Sequence, residues 1–134
     1  MRAPEALDGL RVVATPEALD YAWFEGDAVT LRIAPDEVFA IGAVAAEITD
    51  EYAIVERETA FVGWGLTDDE FDRLVGRHVE WSLPVERPAL AQGLAAGMPV
   101  KLWFDHDRVL LIVSRGFAHE AADRFRLPAW EDQG

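Results

Sequence analysis

The sequence predicts an α+β fold: a single domain, mainly an antiparallel sheet with two or three short helices. Three observations carry this expectation. Short apolar runs alternate with polar residues along the chain, most clearly at Val29-Thr30-Leu31-Arg32-Ile33 and from Val79 to Leu83, which is the period of strands with one buried face. Helical signals are few and brief, and proline and glycine punctuate the intervals between them. The 134 residues, 51% of them apolar, suit one core, and the mixed order of elements favours antiparallel pairing over repeated βαβ units.

Taken in order, residues 1–9 read as a loose lead-in and 128–134 as a tail, leaving an ordered core of about 10–127. Leu10 to Thr15 has strand composition, and Pro16 ends it. Tyr21 to Glu25 and Ala28 to Ala34 flank Gly26-Asp27 and read as a hairpin. Pro35-Asp36-Glu37 has the composition of a helix start, because proline suits the first turn and carboxylates complement the helix dipole. Val38, Phe39, Ile41, Val44, Ala45 and Ile48 then fit a helical face, so helix is favoured over strand for 36–47, although Gly42 opposes it. Tyr52 to Arg57 and Thr59 to Trp64 are expected strands.

Thr67-Asp68-Asp69-Glu70 has capping-box spacing: the Thr67 hydroxyl can accept from a first-turn amide while Glu70 reaches back to the cap amide. A helix is expected from about Asp68 to Val75, ended by Gly76. His78 to Leu83 reads as a strand or extended arm ending at Pro84. Residues 89–95 stay open between helix, which propensity favours, and strand, which length allows. Val100 to Phe104 and Arg108 to Val113 are strands joined by Asp105-His106-Asp107. Phe117 to Phe125 is a helix with Phe117, Ala118, Ala121, Ala122 and Phe125 on one face.

Composition narrows the function. The chain has no cysteine, which excludes disulfides, thiolate nucleophiles and iron–sulfur ligation. Acidic side chains outnumber basic ones 25 to 12, Lys101 is the one lysine, and the net charge is −13. Such a field repels nucleic-acid phosphates and favours a basic partner subunit or a cationic small molecule. No apolar run reaches the length of a membrane helix, and the first residues lack the apolar core of a secretory signal. A cytoplasmic protein is expected.

The residue types that carry chemistry are present without a recognisable catalytic constellation. Asp105-His106-Asp107 offers metal-ligand types, but adjacent residues on a tight turn splay apart, and a hairpin turn accounts for them. His119 and Asp123 lie one helical turn apart without the second histidine of His-Glu-x-x-His, which fits a solvated helix face. His78 follows a helix end, where an imidazolium complements the dipole. Gly63-Trp64-Gly65 lacks the remaining glycine and setting of a phosphate loop, and Ser82 and Ser114 sit in no nucleophile elbow. No catalytic residue and no metal ligand is therefore assigned. Of the five tryptophans at 23, 64, 81, 103 and 130, Trp64 and Trp130 are the candidates for exposed interface contacts, since surplus aromatics mark interfaces.

A set of landmarks carries a family resemblance: Ala-Pro-Asp-Glu at 34–37, Arg57-Glu58-Thr59-Ala60, His78-x-x-Trp81-x-x-Pro84, Ala91-Gln92, Val100-Lys101-Leu102-Trp103, Leu110 to Arg115, and Phe117-Ala118. In this order they resemble the gamma subunit of heterotetrameric sarcosine oxidase, a relative of the folate-binding domain of the glycine-cleavage T-protein. The stretch between Asp36 and Ala53 is shorter than that family implies. The resemblance implies a strand at 89–95, and a turn at Gly97 would then pair it with Val100 to Phe104. It also implies a non-catalytic accessory chain of a flavin-dependent amine oxidase linked to one-carbon metabolism, packed against a larger subunit. The catalytic residues of the T-protein find no matching positions. Two alternatives stand beside it: a free-standing small-molecule domain binding a folate, with Arg115, Arg87 and Lys101 on the anionic tail, and a self-associating protein.

Overall fold

Strands separated by short turns dominate the computed structural model, which describes residues 2–131. In chain order the elements are β1 (Glu5–Ala6), β2 (Gly9–Val13), α1 (Pro16–Asp20), β3 (Trp23–Glu25), β4 (Val29–Ala34), β5 (Glu37–Ile41), β6 (Ala45–Glu47), β7 (Ile54–Glu58), β8 (Phe61–Leu66), α2 (Asp68–Leu74), β9 (Ala89–Ala95), β10 (Met98–Phe104), β11 (Val109–Ser114) and α3 (Ala118–Phe125). Single 3-10 turns occupy Gly76–His78 and Arg115–Phe117. The strand pairs are antiparallel, so the class is the expected α+β with three short helices. Among the described residues no helix is long and apolar enough to cross a membrane. The chain divides into two compact units, Leu7–Ala60 and the residues on either side of that segment.

In the unit formed by residues 7–60, a four-stranded sheet runs in the order β4-β5-β2-β7, and β3 pairs with β6 in a separate ribbon. The segment at 37–41 is a strand, not the helix its apolar spacing favours. Pro35-Asp36 forms a two-residue turn between Ala34 and Glu37, and β5 then lies between β4 and β2, where Val38, Phe39 and Ala40 are all buried. A strand buried on both faces loses the alternation that would mark it in sequence. Gly42 follows at φ +85°, outside the helical region. The hairpin expected around Gly26-Asp27 is absent too: β3 and β4 each take another partner.

Helix α1, which sequence reasoning missed, has a clear local cause. The Thr15 hydroxyl accepts from the Ala18 amide at 3.2 Å, and Pro16 stands at the first helical position. It buries Ala18 and Leu19 against Leu10, Val12, Val38 and Ala40, a core of small side chains. Across the sheet, Arg11 donates to Glu37 at 3.1 Å and to Glu56 at 2.8 Å, tying β2 to both neighbours. The two carboxylates raise the Arg11 pKa and keep the guanidinium charged, through hydrogen bonds first and charge attraction second.

In the other unit, a five-stranded sheet runs β1-β8-β11-β10-β9. Residues 5–6, expected in a loose lead-in, pair with Gly63 and Val62. Alternation decides which side is covered. Val62, Trp64 and Leu66 from β8, Val100, Leu102 and Phe104 from β10, and Val109, Leu111 and Val113 from β11 share one core with residues of α2 and α3. Burial of each such side chain contributes about 1.5–3 kcal/mol. Helix α3 meets that core through Ala118, Ala121, Ala122 and Phe125, the i, i+3, i+4, i+7 set. Residues 89–95 form the strand that the resemblance implies, joined to β10 through Ala96-Gly97, both at positive φ. Residues 79–83 are irregular, with Trp81 laid over Gly93 and its indole N–H donating to the Leu94 carbonyl at 2.8 Å.

The capping box at α2 forms as its spacing predicts: the Glu70 amide donates to the Thr67 hydroxyl at 3.1 Å and the Thr67 amide to the Glu70 carboxylate at 2.9 Å. That backbone hydrogen bond holds the Glu70 carboxyl below its ordinary value of 4.5. A group with a lowered folded pKa stabilises the fold above its unfolded pKa and loses the contribution as pH falls through the folded value. Thr67→Ala is expected to cost about 1 kcal/mol in denaturant unfolding. The stability gap between the native chain and Glu70→Ala is expected to be full at neutral pH and to close in acid; a gap independent of pH would contradict the assignment. A Cβ on Gly9 would stand 2.0 Å from the Ala40 carbonyl oxygen, so Gly9→Ala is expected to destabilise by about 3 kcal/mol, read as a lowered unfolding midpoint.

Candidate functional site

The charged residues nominated from sequence serve local structure. Asp105, His106 and Asp107 lie in the β10–β11 turn, where the Asp105 amide donates to the Arg108 carbonyl at 2.9 Å and the Asp105 carboxylate accepts from the His106 amide at 2.8 Å. His106 and Asp107 are exposed, as are His119 and Asp123 on α3. Among the described residues no group of three His, Asp or Glu side chains is placed to hold a metal ion.

Arg87, Lys101 and Arg115 do not converge. Arg87 sits at the turn end of the β10–β11 hairpin: it pairs with Asp68 at 2.9 Å, donates to the Asp105 carbonyl at 3.0 Å and lies 5.5 Å from the Phe104 ring centre. Lys101, in the middle of β10, donates to Gln92 at 2.9 Å and faces Phe61. Arg115 follows β11, at the end of the hairpin away from the turn, and stacks 5.4 Å from the Trp130 ring centre. Each cation is engaged where it stands.

The two tryptophans expected at an interface are buried, which corrects that expectation. Trp64 is 0% exposed and its indole N–H donates to the Pro128 carbonyl at 2.9 Å; Trp130 is 8% exposed. The rest of the proposed tail, residues 132–134, lies outside the described residues. Exposed large apolar side chains lie instead at Val85 and Leu94 in one unit and, within residues 7–60, at Tyr21, Trp23, Val29, Val44 and a group on and beside β7. Ile54 is 52% and Val55 47% exposed, with Tyr52 beside them at 84%. β7 ends its sheet, paired on one side with β2.

The unit that includes the five-stranded sheet carries several clefts, two of them lined by several charged side chains. One, of about 570 Å³, is lined by Arg2, Gly65, Leu66, Thr67, Glu70, Asp107 and Arg108. Its charges are balanced in sign, and Thr67 and Glu70 are committed to the capping box. The second, of about 350 Å³, lies where α2 and α3 end and collects Arg73, Arg77, Arg124 and Arg126 around Leu74, His78 and Phe125. The His78 ring packs edge-on against Phe125, 5.5 Å between centres, and accepts from the Arg77 Nε–H at 3.4 Å. This cleft escaped sequence reasoning because its two halves are some fifty residues apart. The available signal was four arginines at two helix ends in a strongly acidic chain.

The geometry makes Arg87 a brace between the start of α2 and the β10–β11 turn. Arg87→Ala is expected to lower stability by about 1–3 kcal/mol in denaturant unfolding, and Arg87→Lys to recover only part of it, because an ammonium cannot reproduce the two-pronged contact. Full recovery by lysine would contradict the brace. Compared with models of known families, with curated proteins and with solved structures, the chain matches none.

Proposed function

We propose that this chain is a cytoplasmic accessory protein that acts by protein–protein contact, without catalytic activity of its own, in the manner of the gamma chain of a sarcosine-type flavin-dependent amine oxidase or as an orphan relative of it. The observation that supports this most is the open edge of β7. A sheet edge presents unpaired amides and carbonyls, and native proteins commonly protect it with proline, lysine or a bulge. β7 (Ile-Val-Glu-Arg-Glu) has no proline or lysine; its charges are confined to Glu56, Arg57 and Glu58, and its first two residues, both β-branched, are exposed beside Tyr52. Its five residues span about 17 Å, enough for a partner strand to add alongside.

Charge favours a different chain over a second copy. Asp50, Glu51, Glu56 and Glu58 surround the edge with Arg57 the one cation among them, and residues 7–60 carry twelve acidic against three basic side chains. Two such edges repel each other, whereas a basic partner surface gains attraction and faster encounter. The same excess disfavours nucleic acid. The folate alternative draws little support from Arg87, Lys101 and Arg115, which stand apart and are engaged locally.

Affinity capture from the native cell, read by flavin absorbance of the retained protein, tests this. A flavoprotein is expected to be retained by the native chain and reduced at least tenfold by Ile54→Lys, with the unfolding midpoint unchanged. Capture of no flavoprotein, or equal capture by the variant, would contradict the proposal.

A further inference from the structure

The arginine cleft at the ends of α2 and α3 belongs to the unit that does not contain β7, and has a charge opposite to that of the chain. Positive side chains near a helix carboxyl end complement the dipole, which accounts for a basic residue in the last turn of each helix. It does not account for four. Arg73 pairs with Asp69 at 3.0 Å and Arg124 with Glu120 at 3.1 Å, each one turn back along its own helix. Arg124 also donates to the Ala96 carbonyl in the β9–β10 turn, which fixes its position. Arg77 and Arg126 have no carboxylate partner among the described residues. Asp72 and Asp123 neighbour the paired arginines in sequence, but successive positions on a helix do not face each other.

Arg126 is the most telling member. It closes α3 at φ +56°, ψ +46°, where the Leu127 amide reaches back to the Ala122 carbonyl at 2.9 Å. This is the left-handed position that glycine fills without steric cost. A chain that places arginine there, in a net charge of −13, keeps a cation at this cleft at the expense of backbone comfort. Guanidinium forks match the planar geometry of carboxylate and phosphate. The cleft volume of about 350 Å³ lies at the small end of ligand sites.

From these observations we infer that the cleft is a binding site for a small polyanion carrying two or more phosphate or carboxylate groups, held chiefly by Arg77 and Arg126 and flanked by Arg73 and Arg124. Charge-assisted hydrogen bonds of this kind are worth roughly tenfold to a hundredfold in affinity each. The attraction is screened as salt rises.

Calorimetric titration of the full chain with pyrophosphate and, separately, with citrate tests the site; the tighter ligand assigns phosphate or carboxylate chemistry. The expected result is saturable one-to-one binding of at least one of them, weakened about tenfold or more by Arg77→Gln and by Arg126→Gly. Arg126→Gly is expected to raise the unfolding midpoint while it weakens binding, a combination that a purely structural arginine does not produce. Arg108→Gln, in the charge-balanced cleft, is the control and is expected to bind as the native chain does. Absence of saturable binding by both anions, binding unaffected by the two cleft variants, or an equal loss in Arg108→Gln would overturn the inference.

Discussion

Covering one face of the β8-β11-β10 sheet organises most of residues 61–131. Because side chains alternate across a strand, a single register places Trp64 next to Leu111 and Leu111 next to Leu102, and a one-residue slip would turn all of them out of the core. Helices α2 and α3 complete that core through Phe71, Val75, Ala121 and Phe125. Phe71 meets Phe104 edge-on at 5.5 Å between ring centres. Trp64 adds direction to the apolar packing, since its N–H finds the Pro128 carbonyl and so draws the segment after α3 onto the sheet. The helix ends that hold the four arginines are where they are because the two apolar faces leave them no other seat.

The segment 7–60 is built on a different balance. Its core is rich in alanine and its largest ionic feature, Arg11 between Glu37 and Glu56, is partly exposed, where an ion pair contributes little. Cohesion here rests on backbone pairing and on close approach, as between Gly9 and the Ala40 carbonyl. Most of the chain's net negative charge lies on this segment, because its twelve acidic side chains face only three basic ones, and the exposed edge of β7 lies there too. The arginine cleft belongs to the other unit, so the basic cluster and the acidic excess are divided between separate parts of the sequence.

How much of this could be read from sequence depended on whether each signal was local. The β10–β11 hairpin, the capping box of α2 and the apolar face of α3 are each written in one short continuous stretch and formed as read. The helix favoured at 36–47 failed because a central strand buried on both faces has no alternation, and its partners β4 and β2 are fixed by pairing. β3 with β6 joins segments twenty residues apart that no short pattern links. Trp64 is nominated for an interface as one of a surplus of tryptophans, a signal of composition alone, while its alternating position on β8 puts it inside. The edge of β7 and the cleft were invisible for the same reason: both are properties of what does, or does not, lie alongside.

A partner strand can add to β7 only if that edge is open, and amide hydrogen exchange of the free chain measures its openness most directly. Amides of β10 and β11 are expected to exchange slowly, and those of β7 that face away from β2 at rates close to an unprotected chain. Uniform protection along β7 would show the edge already covered and would contradict a partner-binding role for it.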